Sequence, residues 1–195
     1  MKYLLSHRTT YSYASSVDSA HHIAHLRARA FPGQKVDSIA IATNPEPAMA
    51  VQHVDHFGNN IDIYRIDKPH TRFDIEVRAA VDVRFPEPPP FEATPPWEEV
   101  RSLLEGQGFP SPIEASEFVH ESPLVPEVEA LKAYGAQSFT AGRPILAAAR
   151  ELTSRIKADF EYHPGATDIS TPLSDVFSGK AGVCQDFAHV QIAAL

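Results

Sequence analysis

The sequence predicts an α+β protein: a β-rich region first, a proline-rich connector next, and a helical region last. Three observations carry this reading. Apolar residues recur at period two through the first 85 residues. The stretch "FPEPPPFEATPPW", at 85–97, holds six prolines. Beyond it the apolar period becomes helical.

The elements follow in order. "YLLSHRTTYSYAS" alternates in part, and "IAIAT" and "NIDIYRID" place Ile39 and Ile41, then Ile61 and Ile63, two apart. "RFDIEVRAAVDVRF" repeats the pattern with Phe73, Ile75 and Val77, then Val81, Val83 and Phe85. In "DHFGNN", Gly58 and Asn59 tolerate the backbone angles of a tight hairpin. Several half-buried strands with no helix between them favour an antiparallel sandwich or barrel over residues 1–85. The prolines cannot feed a helix interior or a central strand, so residues 86–142 read as a semi-rigid linker with short helices.

One of those helices starts at "WEEVRSLL", with acids in its first turn, and is expected to end on Gly106; another opens at Pro126 and closes near Gly135. In "RPILAAARELTSRIKADF" Pro144 suits the first helical position, and Ile145, Ala149, Leu152 and Ile156 recur at helical spacing. This opens a third region, 143–195. In its last segment Val183, Phe187, Val190 and Ala194 form one stripe, and Cys184, Ala188, Ile192 and Leu195 the adjoining one. So wide an apolar face predicts a helix buried in a core. The pattern runs to Leu195 with no glycine, cap or basic last turn, which reads as a chain cut within a helix.

Composition narrows the function classes. A net charge of −8 with no basic cluster argues against a nucleic-acid partner. No apolar run reaches the roughly 20 residues that span a bilayer, and the N-terminus lacks the h-region of a secretory signal. A cytoplasmic protein with no membrane partner is the expectation; oligomeric state is not legible. The single cysteine excludes an internal disulfide and a CxxC site. His21, His22 and His25 in "HHIAH" suggest metal ligation if helical, but on a strand His21 and His25 lie about 13 Å apart. A solvated strand face is therefore expected, with no metal and no cofactor.

Cys184 is the candidate nucleophile. Gly182 precedes it and a helical pattern follows, and unpaired amides at a helix N-terminus favour a sulfur anion and can form an oxyanion hole. Gly182 would let a substrate backbone approach. The competing reading is a cysteine packed as a small apolar residue. A nucleophile also needs a base. His189, five residues on, points about 140° around the helix from Cys184. His163 in "FEYHPGAT" reaches the site only through an unknown fold.

"FEYHPGATDISTPLSDVFSGKAGVCQDFAHVQIAAL", residues 160–195, resembles the start of the core domain in bacterial transglutaminase-like proteins. The matching positions are Tyr162, Thr167, Thr171, Gly182, Cys184, Gln185, Asp186, Phe187, Ala188 and His189. "YLLSHRTTYSYASSVDSAHHIAHLRAR" and "HVDHFGNNIDIYRIDKPH" resemble the β-rich region that precedes this core. The resemblance implies an N-terminal β-sandwich and the helical start of a papain-like core with a Cys-His-Asp triad. Cys184 matches the nucleophile, while the triad histidine and aspartate are expected beyond Leu195.

The implied chemistry is attack of Cys184 on an amide or ester carbonyl, then hydrolysis or transamidation of the thioester, with a peptide or amide as substrate. Tyr162, Gly182, Asp186 and His189 are supporting candidates. Tyr162 either orients the site or packs, Asp186 serves structure beside the helix dipole, and His189 is a core or interface histidine. The chain by itself is expected to be inactive, with residues 143–195 loosely packed or exposing the apolar face of the last helix. The alternative is a non-catalytic β-sandwich docking module with a vestigial cysteine core.

Overall fold

The computed structural model describes residues 1–105 and 117–195. The chain divides into two compact units, Met1–Glu87 and Pro88–Leu195.

The first unit holds six strands, β1 Lys2–Val17, β2 Ala20–Ala24, β3 Gln34–Asn44, β4 Met49–Val54, β5 Asn60–Ile66 and β6 His70–Val83. They form two antiparallel sheets of three strands, ordered β1–β6–β3 and β2–β5–β4. Period-two patterning decides which way each strand faces. On β6, Phe73, Ile75, Val77, Ala79 and Val81 are buried. Its other face pairs Arg72 with Asp74, both Arg8 and Arg78 with Glu76, and Arg84 with Asp82. Arg72, then Thr10, hold the Asp74 carboxyl down at about 2. Ala24, Tyr64 and Ile66 of one sheet share a cluster with Phe73 and Ile75 of the other.

The histidines of β2 depart from the solvated face expected of them. His21 is exposed, but His22 is half-buried and its ring stacks on Phe73, with centroids 4.0 Å apart and planes 4° from parallel. Burial, and then the neighbouring His70 and His21, lower its pKa. Among the described residues, no group of three or more His, Cys, Asp and Glu is placed to hold a metal ion.

In the second unit the helices are α1 Trp97–Leu104, α2 Glu129–Ala136, α3 Ile145–Asp159, α4 Leu173–Gly179 and α5 Cys184–Ala194. Two short strands, β7 Glu161–Tyr162 and β8 Ala181–Gly182, pair in parallel. The Gly106 end expected for the first helix lies outside the described residues. The core joins Leu131 and Tyr134 of α2, Leu152 and Ile156 of α3, Phe160, Leu173 and Val176 of α4, and Val190 and Ala194 of α5.

Three local points follow. Within residues 86–142, read as a linker with short helices, α2 supplies the fully buried Leu131 to this core. The second helix closes near Gly135 as expected; Gly135 is the penultimate residue of α2, and a Cβ there would stand 1.9 Å from the Ala194 carbonyl oxygen. On α3, Ala148 rather than Ala149 is buried in line with Leu152 and Ile156, and Pro144 sits one place before the first helical residue.

On α5 the two apolar stripes separate. Val190 and Ala194 are buried, while Cys184, Ala188, Ile192 and Leu195 are exposed, so the last helix presents part of its apolar face as expected of this chain.

Candidate functional site

Parallel pairing of β7 with β8 sets Glu161 against Ala181 and Tyr162 against Gly182. The Glu161 amide donates to the Lys180 carbonyl at 2.8 Å, and the His163 amide to the Gly182 carbonyl at 2.9 Å. Before β8, the chain leaves α4 through Lys180, whose left-handed φ of 53° turns it sharply into the strand. The Lys180 ammonium lies over the rings of Phe177, Phe160 and Tyr134, at 3.7, 4.3 and 4.9 Å. This aromatic seat desolvates the amine and lowers its pKa. It also fixes the turn that delivers Gly182 and Val183.

Cys184 follows as the first residue of α5, with its side chain exposed. A sulfur here lies beside the first-turn amides, whose partial positive charge attracts an anion.

Asp186, at the third helical position, is only 9% exposed. Its Oδ2 accepts from the Val183 amide at 2.8 Å and from the Thr167 hydroxyl at 2.6 Å. One carboxylate therefore caps the helix and ties the 163–171 loop to its first turn. The same atoms account for Gly182. A Cβ there would meet Asp186 Oδ2 at 2.6 Å and its Cβ at 2.9 Å, so the absence of a side chain at this position makes room for the aspartate.

The other candidates are dispersed. Tyr162 is 62% exposed, which sets aside the packing reading of its ring. His163 is exposed on the loop after β7, and His189 is half-buried on the far side of α5 from Cys184. Thr167 entered the sequence reading only as a motif position. Its bond spans 19 residues, and no local pattern announces such a pairing.

The first unit contains a polar feature that the sequence reading passed over. The Arg27 guanidinium Nε donates to both carboxylate oxygens of Asp62, at 3.0 and 2.8 Å, and Asp62 is 2% exposed. Gln52, opposite Asp62 on β4, accepts from Arg27 Nη1 at 3.0 Å when its amide oxygen is turned inward. Together with Tyr64 and Ile41 these residues line a cleft of about 850 Å³.

Residues 3–82 match the family described as the bacterial transglutaminase-like N-terminal region. Uncharacterized proteins of Mycobacterium bovis and Mycobacterium tuberculosis are 34% identical over 100% of the chain and 61% of their own length. An uncharacterized Mycobacterium leprae protein is 25% identical over 97% of the chain and 64% of its own length. The chain thus spans about three fifths of the length of the curated relatives it matches. A solved Cytophaga hutchinsonii structure, described as a "putative cysteine protease", shares this fold with a TM-score of 0.73 at 20% identity, covering 100% of the chain and 62% of that protein. Among the described residues no helix is long and apolar enough to cross a membrane.

Proposed function

We propose that this bacterial transglutaminase-like protein performs thiol-dependent acyl chemistry through Cys184. The observation that carries the reading is the placement of its one cysteine: exposed, at the first position of α5, beside a capped and buttressed first turn. The Cys184 thiolate attacks the carbonyl carbon of a peptide or other amide, and the C–S bond forms. The C–N bond then breaks, and the amine leaves with a proton. Water attacks the thioester, releasing the acid and returning the thiol; an amine in place of water gives transamidation. We favour hydrolysis.

The family resemblance and the described neighbour support this reading at the level of reaction class. Its finer parts are ours: a β-sandwich over residues 1–85, a papain-like core opening at 143–195, and a Cys-His-Asp triad. The triad histidine and aspartate are assigned to sequence corresponding to the part of the relatives that this chain does not span. His189 does not serve, because five residues of helix turn it away from the sulfur. Gly182 and Asp186 position the helix start, and Tyr162 borders it as an exposed ring.

The test is the rate of Cys184 alkylation by iodoacetamide across roughly pH 5–9, in this chain and in a longer protein carrying the triad, alongside amide hydrolysis by the longer protein and its Cys184→Ser variant. Alkylation already fast below neutral pH, and hydrolysis abolished by the substitution, are expected in the longer protein. A rate that rises only near about pH 8.5, as for an ordinary thiol, with hydrolysis indifferent to Cys184→Ser, leaves the β-rich docking-module reading in its place.

A further inference from the structure

His22 on β2 has a counterpart in the other sheet. His70 opens β6 at 7% exposure, and its Nδ1 lies 2.7 Å from the Lys68 carbonyl oxygen. A carbonyl only accepts, so Nδ1 carries the proton and Nε2 of the neutral ring holds a bare lone pair. That Nε2 is buried with no partner among the described residues, and so is Nε2 of His22. Aromatic rings fill the surroundings. Phe73 stacks on His22, the Tyr11 ring lies 6.1 Å from it, and the Tyr13 ring meets His70 edge-on at 5.6 Å.

The charges of the neighbouring elements are spent elsewhere or point elsewhere. Opposite His22 on β5 stands Tyr64, and two residues before it the Asp62 carboxylate is taken by Arg27. On β6, Arg72 pairs with Asp74. In the turn before His70, Asp67 takes Arg65, and Lys68 adds positive charge. Asp18, at the corner between β1 and β2, is exposed, as is His21 on the opposite face of β2. A proton arriving on either ring therefore makes a buried charge whose Nε2–H has no acceptor, and a second proton meets a like charge in the other sheet.

The segment that carries His22 is lightly tied. β1 leaves register with β6 between Ser12 and Val17, the chain crosses to the other sheet, and the five residues of β2 pair with β5 alone. Tyr13 and Ala20 of this segment pack on the cluster that contains Phe73 and Ile75.

We propose that His22 and His70 form an acid-sensitive latch: while both are neutral, residues 13–24 close over Phe73, and protonation releases that segment while β6 stays paired with β3 and β5 with β4. The direction follows from the environment of His22. Burial first, then His70 and His21, hold its folded pKa below 6.5. The released segment therefore binds the proton first, and the closed form is lost as pH falls through the lowered value.

Hydrogen exchange read by mass spectrometry between pH 7.5 and 5.0, corrected for the intrinsic pH dependence of exchange, tests the latch. Protection of residues 13–24 should fall by about ten-fold or more below about pH 6, the factor that one unit of pKa shift carries, while residues 34–44 and 75–83 keep theirs. Two variants then ask whether the histidines act as a pair. His70→Asn retains a donor for the Lys68 carbonyl but takes up no proton, and His22→Phe retains a ring on Phe73. Each variant loses its own charge and the repulsion between the two, so the two losses of acid response should sum to more than the whole. Equal protection at pH 7.5 and 5.0 overturns the proposal without recourse to either variant. So does a loss spread evenly over residues 1–87, or an acid response that either substitution leaves undiminished.

Discussion

Among the described residues each unit buries one carboxylate, Asp62 in the first and Asp186 in the second, and the two are compensated in different ways. Asp62 is held by a full opposite charge, Arg27, across the space between strand β5 and the segment after β2. Asp186 is held by neutral donors, an amide and a hydroxyl, at the positive end of a helix. The first arrangement is a two-charge clasp whose halves are each costly alone. The second divides its partners between two contacts, so the loss of one leaves the other in place. A buried anion in the β unit locks strands together; a buried anion in the helical unit aims a helix start, and with it the Cys184 side chain.

That contrast is sharpest at Arg27. Arg27→Met strands the Asp62 carboxylate in the cluster and should destabilise the first unit by about 3 kcal/mol, the low end for a broken buried pair because the Arg27 side chain is 21% exposed. Replacing both members, Arg27→Met with Asp62→Leu, should recover most of that loss in a chemical-denaturation series. If the double variant is as unstable as the single one, the pair is not the clasp described.

Gly182→Ala comes next. The new Cβ would press on Asp186 atoms at 2.6–3.0 Å. Overpacking of this kind costs about 1–3 kcal/mol, and here it should also change the Cys184 alkylation rate. An unchanged melt and an unchanged rate together would show that Asp186 moves aside freely.

Thr167→Val is milder. It removes one of the two donors to Asp186 and should cost about 1 kcal/mol in the second unit, with a smaller change in alkylation rate than Gly182→Ala. A loss as large as that of Arg27→Met would mean the two carboxylates are not compensated differently after all.

The smallest effect belongs to His22. Burial against Phe73 lowers its folded pKa below the ordinary value of 6.5, so the unfolded chain binds the proton first as pH falls. The associated stability is complete above about pH 6.5 and is lost on acidification through the lowered folded value. The melting temperature of the first unit should fall across that window, and His22→Phe should flatten the dependence. A dependence of the opposite sign would contradict the stacked, neutral ring.

Much of this was legible from residues alone, because local patterns have local causes. Period two on Phe73, Ile75 and Val77 follows from the pleat, and helical spacing on Leu152 and Ile156 from the 3.6-residue turn. The glycine before Cys184 and the helical pattern after it mark a helix start, and the family model matches residues 3–82. Contacts between distant segments were not legible. Nothing near Gly135 states that the Ala194 carbonyl will come against it. Nothing in "HHIAH" states that the middle histidine will turn inward onto Phe73. The periodicity of α5 marked two apolar stripes as equals, and only packing separated the buried one from the exposed one.

By itself, then, the sequence determined the α+β order of elements, the alternation of each strand and the helix that begins at Cys184, since these depend on backbone geometry and nearest neighbours. The tertiary structure decided what lies against what: Asp186 under Val183 and Thr167, and Asp62 against Arg27. Those pairings depend on how chain segments many residues apart close on one another, and a one-dimensional pattern does not encode that distance.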